Sequence, residues 1–403
     1  MKERNGNLNG EGSVLRGTAA VHAGEARRKP YAALTTPVVQ TSAYTFENTA
    51  EVMEFMKRKE AGAAELRHEY GRYSNPTRSA AEGKLAALEG GERALLFASG
   101  MCAVTTSLLA ILGWGDHLIV AGGVYRRTRE FAEAFLPRFG VEATFVPHDD
   151  PASWEAAVRP ATRLIYTEAP SNPTLSVADL DLLSAFAKKR GLLGAADATF
   201  ATPVNLRPLE HGLDLVFHSA TKYLGGHNDL LAGVVVAPAA LASRLEEAQG
   251  VLGGVGSPHD AYLLLRGLKT LDLRVRRQNE TGLRVASFLE SHPSVSRVYY
   301  PGLPSHPDHE TARRLMTGFG GVISFEVRGG LEWTSLFIDR LRLPYIGPTL
   351  GGVESVVQQQ ALFLSTDPEK RRRSGIADNL VRYALGVEDA EDIIADLKQA
   401  LEF

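Results

Sequence analysis

Asp197 and Lys222 stand twenty-five positions apart, in Asp197-Ala-Thr-Phe-Ala-Thr-Pro203 and His218-Ser-Ala-Thr-Lys-Tyr-Leu-Gly-Gly226. A lysine amine can condense with an aldehyde, and a carboxylate can keep a pyridine nitrogen protonated. Ser219 and Thr221 are short hydroxyl donors of the kind a phosphate accepts from. Aldehyde, pyridine nitrogen and phosphate together describe pyridoxal phosphate, and so an enzyme of amino-acid carbon chemistry. Alone, Lys222 would be a solvated surface residue and Asp197 a turn carboxylate. The flanking hydroxyls and Gly225-Gly226, which suit a crowded loop, tell against both readings. Ser219-x-x-Lys222 also matches the motif of penicillin-recognising acyl-transferases, but no Lys-Thr-Gly or Ser-Asp-Asn follows it.

Other positions could complete such a site. Ser99-Gly100-Met101 lies between an apolar strand and an apolar helix, where free backbone N–H groups and the helix dipole favour an anion. Tyr125 in Gly122-Gly-Val-Tyr-Arg-Arg-Thr128 could stack on a flat ring, with Arg126 and Arg127 taking an anionic substrate group. The alternative is a tyrosine capping the sheet beside an exposed basic turn. In Tyr70-Gly-Arg-Tyr-Ser-Asn-Pro-Thr77, Tyr70 and Arg72 share one side of an extended segment and could reach a phosphate together. Arg382 is a charge inside the apolar run 380–385: either a fork for a substrate carboxylate or a strand-edge residue turned to solvent. His306-Pro-Asp-His309 has a metal-like spacing, but Pro307 opposes a helix presenting both rings, so it reads as a surface turn and no metal is expected. Cys102, the single cysteine, reads as a small packed residue rather than a nucleophile.

These residues need a frame that brings them together. From Thr77 onward, helical stretches at 79–88, 101–112, 128–139 and 180–189 alternate with short apolar strands at 94–98, 117–121, 143–146, 163–167, 192–196, 213–217 and 232–237. Such alternation predicts a mostly parallel α/β sheet flanked by helices on both faces. Helical patterns over 241–289 lead to a smaller C-terminal α+β domain with strands at 321–327 and 380–385 and helices at 333–341 and 390–401. The division expected is a disordered tail (1–14), an N-terminal arm (15–75) with a short helix at 51–59, a cofactor-binding domain (76–255) and a C-terminal domain (256–403).

A formal charge of −3 gives no electrostatic footprint for nucleic acid. No apolar run is long enough for a membrane span. One cysteine permits no intrachain disulfide and fits a reducing compartment; with a tail lacking an apolar signal core, the expected location is the cytoplasm.

With these residues assembled, the chain resembles the Cys/Met-metabolism family of fold-type I pyridoxal-phosphate enzymes from about residue 17 to the C-terminus. The resemblance rests on 70–77, Ser99-Gly-Met-Cys102, Glu168-Ala-Pro-Ser-Asn-Pro173, 197–203, 219–226 and Leu350-Gly-Gly-Val-Glu-Ser355. Within the family it is most similar to the plant-type cystathionine γ-synthase branch, through Tyr125-Arg-Arg-Thr-Arg-Glu-Phe131, 218–231, Tyr299-Tyr-Pro-Gly-Leu303 and Asn379-Leu-Val-Arg382. The γ-lyases of the family carry Gly or Cys around Arg126 and Arg127, and a His-Pro-rich stretch where this chain has Gln359-Gln-Ala-Leu-Phe-Leu-Ser365. Arg127 stands where the plant enzymes have lysine, which keeps the cation.

The resemblance implies a homotetramer, a dimer of active-site-sharing dimers, in which Tyr70 and Arg72 reach the neighbouring subunit's phosphate. It implies that Gly100, Met101, Ser219 and Thr221 complete the phosphate cup, that Tyr125 stacks on the ring, that Asn172 orients its hydroxyl and that Asp197 holds its nitrogen. Arg382 would take the substrate α-carboxylate, with Glu354, Ser355 and Arg127 lining the substrate side. Lys222 and Tyr125 would move protons. The implied reaction is γ-replacement on a homoserine ester (phosphoryl, succinyl or acetyl) by cysteine to give cystathionine. A γ-lyase releasing 2-oxobutyrate and ammonia is the alternative.

Overall fold

The computed structural model describes residues 15–62 and 67–402, so the expected tail lies outside the described residues. Seven strands form the larger sheet: β1 (Arg93–Phe97), β2 (His117–Ala121), β3 (Glu142–Val146), β4 (Thr162–Glu168), β5 (Leu193–Asp197), β6 (Leu215–Ser219) and β7 (Gly233–Ala237). Their order is β1-β7-β6-β5-β4-β2-β3. β6, β5, β4, β2 and β3 are mutually parallel, whereas β7 runs antiparallel to both β6 and β1. Leu118, Val120, Leu164 and Tyr166 pack into one apolar cluster; Ile119, Ile165 and Ala196 pack into that of the opposite face. Burial on both faces explains why these strands read as continuous apolar runs.

A single helix over 128–139 is not what forms. The chain makes a short α-helix (Arg126–Glu130), a wider turn (Phe131–Phe135) and a tight 3-10 turn (Leu136–Phe139). Pro137 lacks the N–H that a continued helix requires, and Gly140 at φ 72° ends the segment.

The stretch 241–289 divides into helices Ala239–Leu252, Pro258–Leu268 and Leu271–Ser291, interrupted at left-handed Gly253 and restarted at Pro258. The smaller sheet holds β8 (Val295–Tyr299), β9 (Val322–Val327), β10 (Tyr345–Ile346), β11 (Val356–Gln359) and β12 (Leu380–Ala384) in the order β10-β11-β12-β9-β8. Of these, β8, β10 and β11 had no clear pattern in the sequence. Ile323, Phe325 and Val381 on this sheet pack with Val285, Phe337, Ile393 and Leu397 from the helices behind it.

The N-terminal segment is fastened by a buried charge. Lys84, inside helix Pro76–Glu89, donates to the carbonyls of Ala20 and Val21 (2.9 Å each) and pairs with Glu25 at 3.1 Å. Gly24 permits the contact: at φ 72°, a Cβ there would lie 2.0 Å from the Lys84 backbone nitrogen. Among the described residues, no helix is long and apolar enough to cross a membrane.

Candidate active site

The parallel strands end at one edge, where open α/β sheets bind ligands. Glu168 of β4 stands beside Asp197 of β5, which stands beside Phe217 of β6, and Ser219 closes β6. Asp197 Oδ1 accepts from the Thr199 N–H at 2.9 Å, and no ion pair reaches it among the described residues. Burial pushes its pKa upward. Glu168 is pushed well above the usual carboxylate range by burial first and then by the Asp197 charge. Its Oε2 accepts from the Tyr125 backbone N–H at 2.6 Å.

Lys222 follows β6 in a tight loop closed by Gly225 N–H to Ala220 O (2.8 Å) and Gly226 N–H to Lys222 O (2.8 Å). Gly226 sits at φ 75°, against the guanidinium of Arg274. The buried Arg274 donates at 2.8 Å to the carbonyl of Tyr223, next to the lysine. Lys222 Nζ donates to Thr349 Oγ1 at 3.2 Å. Burial first, and then the charge of Arg382, lower its pKa to about 8, where an amine exchanges protons near neutral pH.

Arg382 is 5% exposed, which overturns the solvent-facing reading. Its Nη2 donates to Gln358 Oε1 (2.7 Å) and to the Thr349 carbonyl (3.2 Å), and its Nη1 to Asn172 Oδ1 (3.3 Å). Nε has no partner, and the neighbours are neutral acceptors, so the charge is desolvated but not cancelled. Burial lowers its pKa to about 10. A carboxylate is the group that would complete this fork. Tyr125, at the start of helix Arg126–Glu130, lies close enough to support the Arg382 charge.

Helix Gly100–Ile111 aims its N-terminus at the same place. Ser99 caps it, with Oγ accepting from the Cys102 N–H at 3.1 Å, and first-turn N–H groups at such an end lack helical partners. A Cβ on Gly100 would lie 2.9 Å from Ser219 Cβ, so only glycine lets the helix end and Ser219 approach this closely. Met101 follows in the first turn, its Sδ taking a contact from Thr128 Oγ1 at 3.6 Å. Thr221 Oγ1 accepts from Ala232 N–H (3.0 Å) and lies 3.3 Å from Ala232 O.

Asn172, Asp197, Lys222, Tyr125 and Arg382 are therefore brought together; other expected positions lie apart. Arg72 donates to Gly250 O at 2.9 Å, and its guanidinium lies over the exposed Tyr70 and Tyr73 rings. Arg127 is exposed and paired with Glu130 at 2.6 Å. Glu354 is exposed and accepts from Asn228 at 2.9 Å. The Ser355 hydroxyl is fully buried and committed to Glu388 (2.9 Å) and Gly386 N–H (3.0 Å). His306-Pro-Asp-His309 forms a turn leading into helix His309–Leu315, with Pro307 exposed as expected but the His306 ring turned inward at 4% exposed. No cluster of metal-ligating side chains exists among the described residues. Thr349 and Gln358, which hold Lys222 and Arg382, have no local signal in the sequence.

The residues present fit pyridoxal phosphate. Asp197 is a half-buried acid with no ion-pair partner among the described residues, which a protonated ring nitrogen would supply, and glycine at 100 lets the helix N-terminus close on Ser219. Fold and site together define a fold-type I pyridoxal-phosphate enzyme. The chain belongs to the Cys/Met metabolism PLP-dependent enzyme family, whose pattern matches residues 17–402, and pyridoxal phosphate is its cofactor. It is 51% identical over 391 residues to "Cystathionine gamma-synthase 1, chloroplastic" of Arabidopsis thaliana, covering 96% of this chain and 69% of that protein. It is 41% identical to "Cystathionine gamma-lyase" of Bacillus subtilis, covering 96% and 98% of the two chains. The crystal structure of metB from Corynebacterium glutamicum superposes with a TM-score of 0.88 at 35% identity, covering 96% and 98%.

Proposed function

We propose that this enzyme joins cysteine to an activated homoserine ester by γ-replacement, giving cystathionine. The observation that carries the reading is Lys222 Nζ held on Thr349 Oγ1, whose residue also receives the buried, uncancelled Arg382 on its carbonyl. The higher identity to the plant synthase than to the bacterial lyase supports it.

When bound, pyridoxal phosphate supplies an electron sink that stabilises negative charge at the substrate Cα. Gly100, Met101, Ser219 and Thr221 hold its phosphate, Asp197 its ring nitrogen, Asn172 its hydroxyl and Tyr125 its face. Arg382 binds the substrate α-carboxylate and fixes Cα under Lys222. Lys222 Nζ would take the Cα proton, give it up again, and only then, as a free amine, take a Cβ proton; both removals are needed because the leaving group sits on Cγ. The Cγ–O bond breaks, the free acid departs, and the cysteine sulfur forms the Cγ–S bond. Tyr125 serves in substrate-amine deprotonation or proton transfer, and Arg127 and Glu354 border the side where the ester lies. The Ser355 hydroxyl, spent on Glu388, acts through the shape of the 350–355 loop.

Tyr70 and Arg72 complete the cup of a second copy in a homotetramer of active-site-sharing dimers. The arm's exposed Tyr31, Leu34 and Met53 supply apolar surface for that contact. Residues 15–75, 76–255 and 256–403 act as arm, cofactor domain and C-terminal domain. A reducing setting such as the cytoplasm suits the lone Cys102.

Incubation of the holoenzyme with O-phospho-, O-succinyl- and O-acetylhomoserine, each with and without cysteine, tests the reaction. Cystathionine formed from any of the esters supports the synthase. 2-Oxobutyrate from cystathionine or methionine, with no replacement product, overturns it in favour of the γ-lyase.

A further inference from the structure

The His306-Pro-Asp-His309 turn lies outside the group of Asn172, Asp197, Lys222, Tyr125 and Arg382, yet its side chains are tied to backbone far away in the sequence. His306 Nδ1 accepts from the Asp308 N–H at 3.1 Å, which places the ring proton on Nε2, 3.3 Å from the carbonyl oxygen of Thr174. Asp308 Oδ2 accepts from the Val177 N–H at 2.9 Å and from His148 Nε2 at 3.2 Å. From β9, the fully buried Ser324 donates to the Pro173 carbonyl at 2.7 Å. Ser324 stands directly opposite Arg382 in the β9–β12 register. The segment between β4 and helix Leu180–Arg190 thus has three backbone groups, at 173, 174 and 177, held by residues from the chain's last third. Immediately before them, Asn172 receives Arg382 Nη1 at 3.3 Å.

We propose that Asp308, His306 and Ser324 are positioning residues that clamp segment 173–177, so that Asn172 meets Arg382 and the guanidinium presents a fixed fork to the substrate α-carboxylate. The loop has little of its own to fix it against the small sheet. Its internal bonds, Ser171 N–H to Ser176 O (2.9 Å) and Ser176 N–H to Ser171 Oγ (3.1 Å), shape the turn without anchoring it. Asp308 and Ser324 provide the anchor from two sides, one at each end of the turn. The inference rests on the reading of Arg382 as the carboxylate site.

The test uses the holoenzyme with L-norvaline and its methyl ester as non-reacting probes, with binding followed by the cofactor's visible absorbance. Wild type is expected to favour the free acid strongly, and Arg382→Lys to lose that preference. Asp308→Ala and Ser324→Ala are expected to weaken L-norvaline about tenfold, as a misplaced binding group does. They should leave methyl-ester affinity and pyridoxal-phosphate affinity within about twofold of wild type. Asp308→Asn keeps an acceptor for Val177 N–H and should recover most of the loss. L-norvaline affinity unchanged in both alanine variants overturns the proposal, as does an equal loss for acid, ester and cofactor, the mark of general loosening. Should Asp308→Ala not fold, Ser324→Ala, which removes one hydroxyl, decides alone. A wild type indifferent between acid and ester would show instead that the Arg382 reading fails, and the proposal with it.

Discussion

Replacing Gln358 by glutamate changes one neutral acceptor into an anion without changing its size. Gln358 Oε1 lies 2.7 Å from Arg382 Nη2, so the new carboxylate would form a buried ion pair with the guanidinium. A substrate carboxylate on the same guanidinium would then sit about 5 Å from a like charge. At an effective dielectric near 20 that repulsion is about 3 kcal/mol, or about 150-fold in affinity. The charge that Lys222 feels from Arg382 would also be largely cancelled, moving the lysine back up from about 8. Initial rates against homoserine-ester concentration should therefore show KM raised by about two orders of magnitude in Gln358→Glu, with a smaller change in kcat. The pKa on the acid limb of kcat, below which Lys222 is protonated and cannot act as base, should rise as well. Gln358→Met separates the two effects: it removes the hydrogen bond without adding charge and should raise KM about tenfold. A Gln358→Glu enzyme with wild-type KM would refute the idea that an uncancelled Arg382 binds the carboxylate.

The lowered Lys222 pKa is also a stability statement for the apoprotein. The folded value lies below the ordinary 10.5, so the charged amine costs stability below about pH 8, and the cost fades as pH rises toward 10.5. Lys222→Met should stabilise the apoprotein by about 3 kcal/mol at pH 7 and by about 1 kcal/mol at pH 10 in urea unfolding. A pH-independent difference would contradict this. Gly100→Ala forces a Cβ to 2.9 Å from Ser219 Cβ and 3.0 Å from Ser219 Cα, where backbone must yield. It should cost about 1–3 kcal/mol and weaken pyridoxal-phosphate binding, read by fluorescence titration of the apoprotein. Asp197→Asn keeps a Thr199 contact but removes the partner of the ring nitrogen, and kcat/KM should fall at least about 100-fold. Near-wild-type turnover would remove Asp197 from that role.

The larger sheet was legible because its strands are buried on both faces and broken by glycine turns, so each strand is a short apolar run of its own. β11 was not. Val356-Val357-Gln358-Gln359 has no apolar period, yet all four are buried, because each glutamine finds tertiary partners. Gln359 takes Ser335 on Oε1 and gives to the Leu331 and Asp378 carbonyls, while Gln358 takes Arg382. Glutamines satisfied at such distances carry no signature in their own neighbourhood. The interrupted helix at 126–139 shows the opposite failure: the apolar spacing was real, but Pro137 outweighed it.

The site divides along the same line. Asp197 and Lys222 sit at the ends of adjacent strands, so their spacing in sequence reflects one strand and its crossover, and chemistry could be read from it. Thr349, the partner of Lys222, comes from 127 residues away on a loop with no chemical mark. His306 is the instructive case. Histidine, proline and aspartate in a short run have the polarity of a solvated turn, and the turn itself forms. Its burial depends on a carbonyl 132 residues back in the chain that must be matched for the ring to enter the interior. A buried polar side chain is retained only where its partner is in place. His306 meets the Thr174 carbonyl, and Asp308 meets His148 and the Val177 N–H; the two backbone groups lie just beyond Asn172. The burial of the His306 ring is therefore tied to the segment that directly follows Asn172.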